Sequence, residues 1–184
     1  MKKKIFAISG STRKNSSNER MLKAIAALYK DALDVDIYDG IDTLPHFNPD
    51  LDNEHLPPIV QDFRERIRLS DGVILCTPEY VFSLPGSLKN AIEWNVSTTV
   101  FSNKPVAMIV ASASGEKAFE SLYLVMTTIE SKIAPKSKLL IKGAKGKIGM
   151  NGEIIDRNTL DNIKVLVASL IQSIDEVKST ANLR

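Results

Sequence analysis

Five apolar runs of strand length alternate with helical patterns along this chain of 184 residues, and few folds accept that alternation. Lys3 to Ser9 reads as a buried strand; Met21, Leu22, Ile25, Ala26 and Leu28 then recur at helical spacing within Asn18 to Tyr29. "DVDIYD" sets Val35 and Ile37 between acids as a second strand, and Pro57 and Pro58 suit the first turn of a helix reaching Leu69. "DGVILCTP" is a continuous apolar run stopped by Pro78, which predicts a central parallel strand covered on both faces. "PGSLKNAIEWN" predicts a helix opened by Pro85, "PVAMIVASAS" a fourth strand, Glu116 to Ile133 a helix and "SKLLIKG" a fifth strand. "MNGEI" carries an Asn-Gly turn signal, and Thr159 to Val177 closes the chain as a helix. The alternation argues for one doubly wound α/β domain over residues 1–184; right-handed crossovers leave few topologies, and five strands in a chain of this length suit a parallel sheet in the order 2-1-3-4-5.

Composition narrows the partners. A formal net charge of +2 implies no polyanion, so nucleic acid is not expected, and "KLLIKGAKGK" reads as a solvated surface. Cys76 is the single cysteine, which excludes an internal disulfide and suits a small core residue in a reducing compartment. His46 and His55 fall in a polar connection from Gly40 to Leu56 and read as solvated, so no metal site is expected. "MKKKIFAISGS" opens like a signal peptide, but its apolar run from Ile5 to Ile8 is too short for one or for a membrane span. A cytoplasmic protein without a membrane partner is expected.

In a sheet of this order, ligands bind beyond the strand C-terminal ends where the order reverses. Three loops meet there: "SGSTRKNSSN", "TPEYVFSLPG" and "SASGEKAF". The first leads into a helix N-terminus and is either a capped turn or an anion cradle. Capping needs one of Ser16, Ser17 and Asn18, whereas Ser11, Thr12 and Arg13 add donors beyond that need. Such a set suits a monophosphate. No Gly-Lys-Ser/Thr and no second glycine follow, so neither a Walker loop nor a dinucleotide turn is present. In the second loop two prolines stiffen the chain, Tyr80 and Phe82 offer flat apolar surface, and Glu79 reads as a loop-organising acceptor rather than a catalytic group. Phe82 could equally pack against the core or a subunit. In the third, Ser112, Ser114 and Gly115 form a nest at a helix start. With no metal set and no nucleophile–base pair, hard chemistry needs a cofactor, and cradle, flat surface and nest together specify flavin mononucleotide (FMN).

These loops resemble a known family. "GSTRKNSSN" is similar to the Gly-Ser-x-Arg-x-x-Ser-x-Asn signature of the NADPH-dependent FMN reductases, flavodoxin-like quinone, chromate and azo-dye reductases. "TPEYVFSLPGSLKNAIEW" looks like their second signature, and the likeness extends over the whole chain. It implies a flavodoxin-like fold, with Ser11, Arg13, Ser16, Ser17 and Asn18 at the FMN phosphate. It further implies Pro78, Glu79, Tyr80 and backbone of Val81 at the ring, and Ser112, Ser114 and Gly115 at its edge. Many members have Asn where Val81 stands and a Gly-Gly pair where Glu116 and Lys117 follow Gly115. The activity implied is hydride transfer from NADPH or NADH through FMN to a flavin, quinone, azo compound or chromate, with no side chain assigned as catalyst. Backbone N–H groups near Gly115 are expected to stabilise charge on the reduced ring. A flavodoxin-like carrier is the alternative, although carriers of that kind tend to be strongly acidic. A receiver domain lacks its acids, since Ser9-Gly10-Ser11 and Thr77-Pro78 stand in their places. The likeness also implies a homodimer or homotetramer. The helix from Leu88 to Trp94, with Phe101, is either the contact surface or core.

Overall fold

The computed structural model describes residues 1–149 and 152–181. Five parallel strands, β1 (Lys3–Ser9), β2 (Leu33–Tyr38), β3 (Gly72–Thr77), β4 (Val106–Ser112) and β5 (Lys138–Lys142), form one sheet in the order β2-β1-β3-β4-β5. Between and after them run α1 (Ser17–Leu28), α2 (Pro58–Leu69), α3 (Gly86–Glu93), α4 (Glu116–Thr128) and α5 (Arg157–Ala181). The expected order is the observed one.

Side chains alternate across a strand, so β1 sends Phe6 and Ile8 to one core and Ile5 and Ala7 to the other. Phe6 and Ile8 meet Phe63 of α2, Leu88 of α3 and Leu122 of α4. Ile5 and Ala7 meet Met21 and Ile25 of α1 and Ile163 and Leu170 of α5. All six residues of β3 are buried, as a run apolar without alternation requires. Pairing sets Ser9 beside Cys76 and Thr77 beside Val110, so the C-terminal ends of β1, β3 and β4 lie side by side.

One expectation needs correction, one is sharpened and one open alternative is decided. The helix drawn through Ile133 stops at Thr128, because Glu130 adopts φ 61° and cannot continue a right-handed helix. The polar connection is, as expected, without regular strands, and it is anchored to α3 and Trp94. Asn90 accepts from the Phe47 N–H at 2.7 Å and donates to the Pro45 carbonyl at 2.9 Å, and the Trp94 indole donates to that carbonyl at 2.7 Å. Asp52 adds a second tie. Burial raises its carboxyl, but hydrogen bonds from Ser97 and Arg64 prevail and hold it below the usual carboxylate value. Finally, Trp94, Leu88 and Phe101 are core residues, not a contact surface. Their hydrophobicity on one helix face is the same whether the face meets a partner or the sheet, and only packing separates the two. His46 and His55 are exposed, as expected. Of the Asn-Gly turn, Met150 and Asn151 lie outside the described residues; Ile148 and Ile154 on either side form an antiparallel bridge.

Candidate functional site

The loop after β1 packs directly against β3. The Gly10 N–H donates to the Cys76 carbonyl at 2.8 Å, and a Cβ at Gly10 would lie 2.2 Å from Thr77 Oγ1, so no larger residue fits. Ser11 is buried, and its Oγ accepts from the Arg13 N–H at 3.3 Å, which folds the loop back. Ser16 is the N-cap of α1, its Oγ accepting from the Glu19 N–H at 3.1 Å. The Ser16 N–H donates to the Arg13 carbonyl at 3.2 Å, and the first intrahelical bond runs from the Arg20 N–H to the Ser16 carbonyl. Of the four N–H groups that a helix start leaves without intrahelical acceptors, those of Ser17 and Asn18 therefore remain. Asn18 is buried, and its Oδ1 accepts from the Cys76 thiol at 3.3 Å, which fixes the amide and leaves its N–H₂ to donate. Burial pushes the Cys76 thiol far above its ordinary value, so it stays protonated and serves as that donor. Glu19, the acid in the first turn of α1, is engaged by the Asn15 N–H and by Lys23, whose hydrogen bond is the main cause holding its carboxyl low. Arg13 is exposed at the loop tip.

After β3 the chain makes a two-residue hairpin. Tyr80 and Ser83 exchange both N–H to C=O bonds at 3.0 Å, with Val81 at φ 51° and Phe82 at φ 55° between them. Consecutive left-handed residues suit Asn-Gly, not a β-branched residue followed by an aromatic one. Val81 is 96 % exposed, so no packing offsets its strain. Val81→Asn is therefore expected to stabilise the protein by about 1 kcal/mol, a rise in Tm of roughly 2–4 °C by calorimetry, with the hairpin kept.

The loop after β4 is tied to this hairpin by Glu79. Its Oε1 accepts from the Gly115 N–H at 3.1 Å and its Oε2 from the Ala118 N–H at 2.9 Å. Gly115, the N-cap of α4, has φ 104° and no side chain to cap with, and the acid from the neighbouring loop does so instead. Glu79 thus organises the loops. The consequence is a correction: the Gly115 N–H, expected to face a ring, is already engaged. Ser112 is half-buried and Ser114 exposed beside it.

The structure thus brings all three loops together, the first joined to β3 through Gly10 and Asn18, the second to the third through Glu79. The first loop holds two free helix N–H groups, an amide, hydroxyls and a guanidinium, a donor set that fits a phosphate monoester. The hairpin supplies flat apolar surface. A separate groove of ≈ 1070 Å³ runs along the outer face of α1, past Lys23, Ala27 and Leu160. It reaches the first loop at Arg13, Lys14 and Asn15 but touches neither of the others, so it is not a site shared by the three loops. The sequence reading had Glu79 as a loop-organising acceptor without naming its partners, and it missed the Asn18–Cys76 link altogether. The Asn18–Cys76 bond joins residues 58 positions apart, and the Glu79 cap crosses 36 and 39, distances over which no local signal carries.

Comparison with known proteins gives the family. The family model described as NADPH-dependent FMN reductase matches residues 3–146. The chain is 32% identical over 176 residues to an NAD(P)H-dependent FMN reductase of Pseudomonas aeruginosa, covering 93% of this chain and 92% of the relative. It is 28% identical to a quinone reductase of Escherichia coli, covering 96% and 98%. Among solved structures, a flavoenzyme NAD(P)H:(acceptor) oxidoreductase of Paracoccus denitrificans superposes with TM-score 0.84 at 27% identity, over 95% of this chain and 98% of that one. Matched along most of its length by the family model and by these relatives, the chain belongs to the NADPH-dependent FMN reductase family.

Proposed function

We propose that this single domain holds FMN across its three strand-end loops and passes hydride from NADPH or NADH to a quinone or flavin, with azo compounds and chromate as further acceptors. The observation that carries the assignment of residues is the continuity of the loops, from the open helix end at Ser17 and Asn18 to the Glu79 tie at Gly115. In this reading Ser11, Arg13, Ser16, Ser17 and Asn18 grip the phosphate. Ser16 does so through position, since its hydroxyl caps α1. Pro78, Tyr80 and the backbone of Glu79 and Val81 line the ring, with Ser112, Ser114 and Gly115 at its far edge. When bound, FMN would supply two-electron redox chemistry between the nicotinamide and the acceptor, with the further proton that a quinol needs coming from solvent. The chain's own groups orient and exclude water, and none is a general acid.

Among the described residues no helix is long and apolar enough to cross a membrane. We place the protein in the cytoplasm as a homodimer or homotetramer. Its formal net charge of +2 favours an enzyme over an acidic electron carrier.

Titrating the protein with FMN while following flavin fluorescence tests the proposal, followed by NADPH and NADH oxidation with a quinone present. Saturable binding and turnover are expected. Absence of binding overturns the reading, and binding without nicotinamide oxidation leaves the carrier. Arg13→Ala is expected to weaken FMN about 10-fold, the loss of one exposed charge-assisted phosphate contact.

A further inference from the structure

Among the described residues, exposed large apolar side chains occur singly or in pairs, except at one place. Tyr80, Val81 and Phe82 are consecutive and 51%, 96% and 78% exposed. They are also held stiffly: the hairpin neck is closed by two backbone hydrogen bonds, and its base is tied to α4 through Glu79. Two left-handed residues with no buried contact to compensate them mark a conformation kept for something other than stability. The opposite end of the site carries Arg13 and Lys14, whereas the tip carries no charge.

Building on the function proposed above, we infer that the Val81–Phe82 tip selects the electron acceptor. Its aromatic face beside the proposed ring site binds uncharged planar acceptors, quinones above all, and adds nothing for a small hydrophilic oxyanion such as chromate, which is left the poorer acceptor. A tip of two residues is too small to hold a second copy alone, since a stable interface buries on the order of 800 Å² on each partner. Phe82 is the residue that carries the selection. It supplies the flat surface, whereas Val81 supplies the turn.

Phe82→Asn tests this, because Asn accepts the left-handed backbone and the hairpin survives. The readouts are calorimetric binding of a naphthol, which cannot be reduced, to the oxidised FMN-loaded protein, and KM for a naphthoquinone and for ferricyanide. Phe82→Asn is expected to weaken naphthol and raise the naphthoquinone KM about 10-fold with kcat retained, the loss of one aromatic contact, while the ferricyanide KM stays put. Phe82→Tyr, which keeps the flat face, should restore both. Unchanged naphthol affinity in Phe82→Asn overturns the inference, and so does a variant whose only defect is dissociation of an oligomer in sedimentation, which would make the tip a subunit contact. Failure of the unmodified protein to bind FMN in the fluorescence titration is a different result, and removes the underlying function instead.

Discussion

Glu79→Ala is expected to lower stability by about 2 kcal/mol and FMN affinity about 30-fold. Two backbone N–H groups at the start of α4, those of Gly115 and Ala118, lose their acceptor together. A hydrogen bond to a charged group contributes roughly 1.5–3 kcal/mol when buried, and Glu79 is half-buried, so the pair is discounted for solvent to about 2 kcal/mol. For a chain of this length that is a fall in Tm of roughly 4–8 °C, read by calorimetry without added cofactor. The same energy, if it all reappears as slack between two loops that must close on one ring, corresponds to about 30-fold in dissociation constant. Glu79→Gln keeps the shape but offers one acceptor oxygen where there were two, so it should fall between wild type and Ala. A Tm unchanged in both variants would show that the tie carries no load.

Gly10→Ala should be the more damaging change, at about 3 kcal/mol. Its new Cβ would stand 2.2 Å from Thr77 Oγ1, 2.7 Å from Thr77 Cβ and 3.0 Å from Leu88 Cδ2. Thr77 and Leu88 are fully buried, so neither can move aside without disturbing the core. Inserting a methyl into such packing costs roughly 1–3 kcal/mol, and here backbone separation of β1 from β3 is the only relief. That separation breaks the bond from the Gly10 N–H to the Cys76 carbonyl and displaces the loop ahead of α1. FMN binding should fall with stability in the same variant. The double variant Gly10→Ala, Thr77→Ala removes the shortest contact and is expected to recover part of the loss. Additive losses in denaturant titration would instead show that the contact is not the cause.

The sequence reading and the structure part company in an orderly way. Strand and helix existence was legible because β3 is apolar without a break and α1 and α5 are apolar at helical spacing, both properties of contiguous residues. The strand order followed from handedness together with the chain's length and strand count, which suit 2-1-3-4-5 among the few orders that right-handed crossovers leave. Boundaries were less secure: α4 ends at Thr128 because of the backbone at Glu130, and no side chain near Ile133 announces it. Trp94 and Leu88 could not be assigned to core or surface, since an apolar helix face looks alike in either setting.

For the site, the chain itself determined which loops gather donors and aromatic surface, and that the first of them opens a helix, because charge, hydroxyl content and capping residues are local. Tertiary structure decided what each donor is free to do. Ser16 is taken by its own helix, Asn18 is oriented by a thiol on another strand, and the Gly115 N–H belongs to Glu79. It also decided that Val81 and Phe82 stand out in solvent in left-handed conformations. Hydrogen bonds between loops are settled by the ångström-scale positions of strand ends, and those depend on packing across the whole sheet rather than on any neighbouring residue.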